Sequence, residues 1–396
     1  MALRIRNQVL LVKVESSEGV DASPGVTDAI KIDTVTVTPQ PEIQDTTEAT
    51  GAIDKGEFEI GKTPIEFAGT VKLKGSGAAG TAPEVDPLLR ACGWAATTLA
   101  ATVPTTSTTT ASAGTTTSFT VDRTAGNGAD WSNTTGTYIG YVVTLTTNPT
   151  AATTCQIKNY VVTGSNAVVT LDRVFSPALD VTTTASIPLQ VIYKPTSGTV
   201  PSVSAYCYYD GLVDKIFGAR GDVTLKLLNG AKADLEFKFA GVIGADEADA
   251  AVPTGTFDST AAPKWRLQDG GSFRVDNVAA GIKDLSVSFN NQLPFPPNPN
   301  ATDGIDPPTI TGRDLQGTAT PQTTLVATRA MFLKFRNGTK MAWTAQLGSV
   351  AGNRIFILIP QAKLRNITRT SEQDLMLDTL PFSAISSNDG CILTFA

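Results

Sequence analysis

Apolar and polar residues alternate along most of this chain. The clearest run is Ile65-Glu66-Phe67-Ala68-Gly69-Thr70-Val71-Lys72-Leu73-Lys74, whose odd positions are apolar or glycine and whose even positions are mostly polar. That period of two is the signature of a strand with one buried face. Residues 203–209, 223–227 and 233–239 follow the same pattern, and Asn229-Gly230 between the last two predicts a tight antiparallel hairpin. A second hairpin is expected from Met331 through Asn337-Gly338 to Ala345, with Leu333 and Phe335 facing Met341 and Trp343. Helix signals are few. Asp86-Pro87-Leu88-Leu89-Arg90-Ala91-Cys92-Gly93 combines an N-cap, a proline at the first helical position and a glycine stop. A further helix is predicted from Thr320-Pro321 to about Ala330.

The chain changes character near its first third. Residues 97–117 hold eleven threonines in twenty-one positions, too little apolar surface to bury, and are expected to form an extended linker. Short strands recur over residues 119–194, separated by Gly, Asn and Pro, as in a small β-sandwich or barrel of Ig-like size. Pro195-Thr196-Ser197-Gly198 then returns the chain to its host. With that segment set aside, residues 28–96 plus 197–244 and residues 270–396 show one order of elements: strands, a long polar or Pro/Asn-rich loop (39–64 and 294–308), a strand, a helix and a hairpin. This predicts a tandem duplication. The domains are a discontinuous first β-domain over 1–103 and 197–260, an inserted β-domain over 104–196, and a second β-domain over 261–396.

Charge and chemistry narrow the function classes. The 396 residues carry 31 Lys and Arg against 37 Asp and Glu, a net charge of −6, which argues against a broad electropositive face for nucleic acid. There is no histidine, so the commonest general base and metal ligand is missing. Cys92, Cys155, Cys207 and Cys391 lie far apart, with no CxxC pair, and are expected to be reduced, buried thiols. Lys13 breaks the early apolar run before it reaches the length of a secretion signal, and the run at 355–359 is far too short to span a bilayer. The expectation is a protein made in a cytoplasm, without a membrane partner.

Local motifs favour bland roles. Gly75-Ser76-Gly77-Ala78-Ala79-Gly80 fits GxGxxG, but Pro83 and Pro87 interrupt the crossover helix a dinucleotide site needs, leaving a turn-forming glycine loop. Asp246-Glu247-Ala248-Asp249 matches no calcium-loop spacing and reads as a solvated acidic turn. Tyr206 and Tyr208 share one strand face, favouring a packed, partly covered sheet over a stacking platform. No catalytic, metal-binding or cofactor-binding residues are predicted, although among 37 acids some pair suited to glycoside hydrolysis always exists. Asp33, Asp234 and Glu236 alternate outward from their strands, onto a solvated face or, if the sheet curls into a pore, onto its lumen.

Residues 65–77 followed by Ala82-Pro83-Glu84-Val85-Asp86-Pro87-Leu88-Leu89-Arg90-Ala91-Cys92-Gly93-Trp94 resemble the tail tube proteins of long-tailed bacteriophages. Ser204-Ala205-Tyr206-Cys207-Tyr208-Tyr209-Asp210-Gly211, Phe217-Gly218-Ala219-Arg220-Gly221 and Phe237-Lys238-Phe239-Ala240-Gly241 are similar to that family's central strands. Ile310-Thr311-Gly312-Arg313, Leu347-Gly348-Ser349-Val350-Ala351-Gly352-Asn353-Arg354 and Gly390-Cys391-Ile392-Leu393-Thr394-Phe395-Ala396 resemble its C-terminal half. The resemblance covers about three quarters of the chain, everything outside the insertion.

It implies a mainly β protein: a tail-tube-type β-sandwich or barrel flanked by a short helix, duplicated in tandem, with the extra β-domain on the outside. Its implied partners are copies of itself, in a trimeric pseudo-hexameric ring or alternatively a hexamer, stacked into a hollow virion tail that is assembled in the host cytoplasm. Tail terminator, tape measure and tail-tip proteins complete that set, and double-stranded DNA passes through the lumen without specific binding. The loop over 39–64, with Gln44, Asp45, Glu48, Asp54 and Lys55, is then expected to reach the next ring, as is the loop over 294–308. Asp33, Asp234 and Glu236 become lumen-facing candidates. The alternatives are a β-rich surface adhesin or carbohydrate-binding tail-tip protein with the insertion as its reader, and a hydrolase.

Overall fold

The computed structural model describes residues 4, 6–45, 57–105, 109–146, 153–385 and 389–396. Its main strands are β1 (Val9–Val14), β2 (Ile32–Pro39), β3 (Ile65–Lys72), β4 (Trp94–Leu99), β5 (Gln190–Pro195), β6 (Val203–Tyr209), β7 (Leu212–Leu228), β8 (Asp234–Asp249), β9 (Ser272–Val275), β10 (Ile282–Ser288), β11 (Gln316–Pro321), β12 (Met341–Leu347), β13 (Ile355–Leu364), β14 (Thr368–Glu372), β15 (Leu375–Ala384) and β16 (Ile392–Phe395). Two short helices accompany them, α1 (Asp86–Ala91) and α2 (Met331–Arg336). The protein is mainly β and the pairing is antiparallel throughout.

The long hairpin β7–β8 turns at Asn229-Gly230, where Gly230 takes φ +80°, and its ladder runs from Lys226↔Asp234 to Leu212↔Asp249. Around it the first set of strands pairs in the order β1–β6–β7–β8–β3–β2. Residues 272–384 pair in the order β9–β12–β13/β14–β15–β11–β10. The two sets share one junction, the ladder between β7 and β10. Each also carries a bulge at the same place: one extra residue lies between Ile32 and Val35 opposite Val71 and Gly69, and between Ile282 and Leu285 opposite Pro321 and Ala319.

Alternation sends one side of most of these strands into a common core. Phe67 stacks on Phe239 at 4.8 Å, and Trp94 sets its edge against Phe289 at 4.4 Å while its indole N–H donates to the Cys391 carbonyl. Helix α1 forms where expected and buries Leu88, Leu89 and Ala91, but its N-cap is Val85 and not Asp86, which lies in the first turn with Pro87 and accepts from the Tyr193 hydroxyl. All four cysteines are free and buried, and burial pushes the Cys155 and Cys391 thiols up to about 12. The glycine-rich segment is a packing device: Gly75 N–H donates to Asn353 Oδ1, Gly77 N–H donates to the Gly352 carbonyl, and the two backbones touch.

Residues 109–186 build seven further strands around Thr153–Thr163 and an aromatic core of Trp131, Tyr138 and Tyr160. This unit docks on the face of β13 and β16 that points away from the main core. Ile355, Ile357 and Ile359 point into the main core, whereas Leu358 and Ile392 join the core of the 109–186 unit. Thr394 Oγ1 donates to the Gly140 carbonyl at 2.8 Å, fixing the contact.

Several sequence expectations need correction. Met331–Arg336 is a helix, not a hairpin strand, and β12 pairs with β13 instead. The Asn337-Gly338 pair stops that helix, with both N–H groups bonded back to Leu333 and Phe335 carbonyls and Gly338 at φ +61°; one dipeptide serves either as hairpin turn or as C-cap. The predicted helix over 320–330 is absent, because Leu325 and Val326 have no face to bury and stay 80% and 76% exposed. The threonine-rich stretch is only partly a linker, since β4 and the strands Thr109–Thr110 and Ala113–Gly114 arise within it, as β-branched residues allow. Residues 246–249 lie on β8 and not in a turn. Strand β5, counted with the insertion, sits between β4 and β16 in the large sheet.

A Cβ at Gly75 would lie 2.1 Å from the Gly352 carbonyl oxygen. Gly75→Ala is therefore expected to lower stability in urea titration by about 1–3 kcal/mol, whereas Gly164→Ala, in open space but at φ +59°, costs about 1 kcal/mol.

Candidate assembly surface

Eight strands lie side by side in the order β2–β3–β8–β7–β10–β11–β15–β14. Inward residues of the first seven, among them Val35, Phe67, Leu235, Val223, Val287 and Phe382, are buried. The opposite face is polar and curves inward: a concavity of about 460 Å³ spans four strands, lined by Thr34, Thr36, Thr70, Asp222, Thr224, Glu236 and Lys238.

Lysines on this face meet carboxylates. Lys72 Nζ lies 2.6 Å from Asp234 Oδ1 and 3.1 Å from Asp33 Oδ2, and the hydrogen bond to Asp234 leads in holding its ammonium pKa up. Lys226 meets Glu236 at 2.6 Å and Lys238 meets Glu66 at 3.1 Å. Burial raises the Asp222 carboxyl, which accepts from Asn291 N–H. Toward β10 and β11 the face turns to hydroxyls, with Thr224 Oγ1 and Ser288 Oγ 2.9 Å apart and Thr320 Oγ1 donating to Asp284. A wall on which each of these lysines already faces a carboxylate has little to offer a phosphate backbone, whose grip depends on releasing counterions to free cations.

Asp33, Asp234 and Glu236 thus share one face of one sheet. Sequence reasoning missed Lys72, Lys226, Lys238 and Glu66, although each sits at the same parity as an acid it named or on the neighbouring strand. Gln44 and Asp45 are exposed on Ile43–Asp45, a short strand paired with Phe58–Ile60. Glu48, Asp54 and Lys55 lie outside the described residues. The stem of that loop, read as polar, exposes Ile43, Phe58 and Ile60 at 59%, 56% and 65%. The loop over 294–308 instead folds back on its own chain: the Pro308 carbonyl accepts from Arg220 Nη1 at 2.7 Å. Tyr206 is buried, its hydroxyl donating to Asp21.

Both ends of the eight-stranded sheet are open. Among the described residues β2 pairs only with β3, and β14 pairs only with β15. The outward N–H of Val35 on β2 is held by a side chain, Gln8 Oε1 at 3.3 Å, and all five residues of β14 are exposed. Among the described residues no group of three or more His, Cys, Asp or Glu is placed to hold a metal, and no helix is long and apolar enough to cross a membrane. Scans against protein-family models and curated proteins find no match to this chain.

Lys72→Met is expected to cost under about 1 kcal/mol at neutral pH, as partly exposed pairs do. Because the folded-state pKa of Lys72 is raised above 10.5, the pair's contribution is present below that pH and lost as pH rises through the folded value. Urea titrations of the two proteins from pH 8 to 11 should therefore converge at the alkaline end.

Proposed function

We propose that this chain is a structural, non-catalytic subunit of a bacteriophage tail tube, whose rings stack into a conduit for viral DNA. The observation that carries this reading is the curved polar sheet, whose end strands each have an outer edge that meets no strand among the described residues. An exposed edge recruits another strand, and a ring of copies removes both edges at once. The paired charges suit a passage for DNA better than a binding site.

The matching order of pairings in the two strand sets, with a bulge at the same step of each, supports two copies of one fold joined in tandem. Geometry then favours three chains per ring. Eight strands about 4.8 Å apart give three copies a wall roughly 37 Å across, which side chains about 5 Å deep narrow to about 27 Å. Two copies leave only about 14 Å, too little for a duplex whose major groove alone is about 12 Å wide. The 109–186 unit packs on the side of the core away from the polar face, consistent with an inserted domain, Ig-like or similar, on the outside of the tube. Ile43, Phe58 and Ile60, exposed on the stem of the 39–64 loop, suit a contact with the next ring.

Negative-stain microscopy of the purified full chain should show rings or hollow tubes; discrete particles at every concentration would refute the proposal. Phe58→Asp with Ile60→Asp should abolish stacking while rings persist, with stability changed by no more than about 0.5 kcal/mol, as expected at exposed positions. Tubes of normal length from that variant would show that the loop does not join rings.

A further inference from the structure

The junction inside the chain is a template for the junction between chains. Strand β10 stands on β11 as β2 stands on β3, bulge included, so Leu285, Ser286, Val287 and Ser288 occupy the positions of Val35, Thr36, Val37 and Thr38. Strand β15 stands on β11 as β8 stands on β3, with Leu380↔Ala319 matching Phe237↔Gly69. Strand β14 in turn stands on β15 as the end of β7 stands on β8: Thr368↔Thr379 matches Thr224↔Glu236, and Thr370↔Leu377 matches Lys226↔Asp234. In the first set, the free side of residues 224–228 is covered by β10, in the register Thr224↔Ser288, Leu225↔Val287, Lys226↔Ser286, Leu227↔Leu285 and Leu228↔Asp284. In the second set that side of β14 meets no strand among the described residues. The strand corresponding to β10 is β2, whose outer edge meets no strand among the described residues; its Val35 and Val37 backbones are met there by the Gln8 and Tyr209 side chains.

We propose that β14 of one chain pairs antiparallel with β2 of a second copy in the register Thr368↔Thr38, Arg369↔Val37, Thr370↔Thr36, Ser371↔Val35 and Glu372↔Thr34. This rests on the ring reading above and adds which edges meet and how they align.

The chemistry of the two edges agrees with that register. The template pair Thr224–Ser288 joins its hydroxyls at 2.9 Å; its counterpart Thr368–Thr38 is again two hydroxyls, and Thr370–Thr36 adds another such pair, a favourable cross-strand combination. Phe289 N–H donates to the Val223 carbonyl and Asn229 N–H to the Lys283 carbonyl, so odd-numbered residues of β7 carry the template's ladder bonds. By correspondence Arg369–Val37 and Ser371–Val35 are the hydrogen-bonded pairs between copies. The Ser371 carbonyl replaces the long bond from Val35 N–H to Gln8. A groove of about 680 Å³, lined by Arg6, Gln8 and residues 32–36, runs beside β2 and gives the incoming strand room. Glu372, which lies 2.7 Å from Lys283 Nζ of its own chain, arrives opposite Thr34.

The test is a disulfide across the Thr370–Thr36 pair. A non-hydrogen-bonded antiparallel pair has its Cα atoms about 4.5 Å apart, within the range a disulfide spans. The full chain carrying Thr36→Cys and Thr370→Cys is mildly oxidised and run on non-reducing gels, beside both single variants and Thr38→Cys with Thr370→Cys, whose Cα atoms are about 7–8 Å apart. The expected result is loss of the monomer band to covalent dimers and trimers in the first variant only. Rings by microscopy without that cross-link, or with the displaced pair linking instead, would overturn the register and leave the tube reading standing; neither rings nor cross-links would overturn both. Hydrogen exchange on the unaltered protein gives a second readout: the amides of Val35, Val37, Arg369 and Ser371 should slow at least about tenfold on assembly. Unchanged exchange in assembled protein would also refute the pairing.

Discussion

The ladder between residues 224–228 and 284–288 is the constraint on which the rest of this structure depends. It welds two strand sets into one continuous sheet, and does so with backbone hydrogen bonds, whose spacing allows only discrete registers. Slipping that ladder by one residue would turn Leu285 and Val287 to the polar side and Ser286 and Ser288 into the core. The buried face of β10 and the hydroxyl-rich polar face are consequently fixed by one alignment. Trp94 on Phe289, and the glycine backbones at 75–77 against Gly352, lock the same two sets together from other directions.

Much of this was legible in the amino-acid sequence where a local signal had a single meaning. Alternation over residues 65–74 and 233–239 marked β3 and β8 with their buried sides, and Asp86-Pro87 marked α1. The reading failed where one signal serves two structures. Asn337-Gly338 ends a helix here, although it turns a hairpin just as well. Apolar residues at 325–326 suggested a helix face, but nothing packs on them. The acids at 33, 234 and 236 stood out because they take the outward positions of alternating strands. Their lysine partners did not, since pairing across strands depends on a register that only the assembled sheet supplies. The apolar stem of the 39–64 loop was hidden by its polar surroundings.

The polar face shows how electrostatics and shape combine. Lys72 between two carboxylates, and the pairs Lys226–Glu236 and Lys238–Glu66, keep the strands in register without presenting unmatched positive charge. Such partly exposed pairs add little stability individually. Their value in the proposed tube is that the wall stays hydrated and presents these lysines only beside carboxylates, so a passing polyanion meets no trap.

The two open edges of the sheet differ in sequence and in shape, and that asymmetry shapes the kinetics of the proposed ring. Each added subunit leaves one donor end and one acceptor end unsatisfied, so growth has a direction and no head-to-head dimer interrupts it. The last junction forms within a single particle and incurs no further loss of translational freedom, as in other linked binding events. Closed rings and free subunits should then dominate the population, with arcs as short-lived species between them.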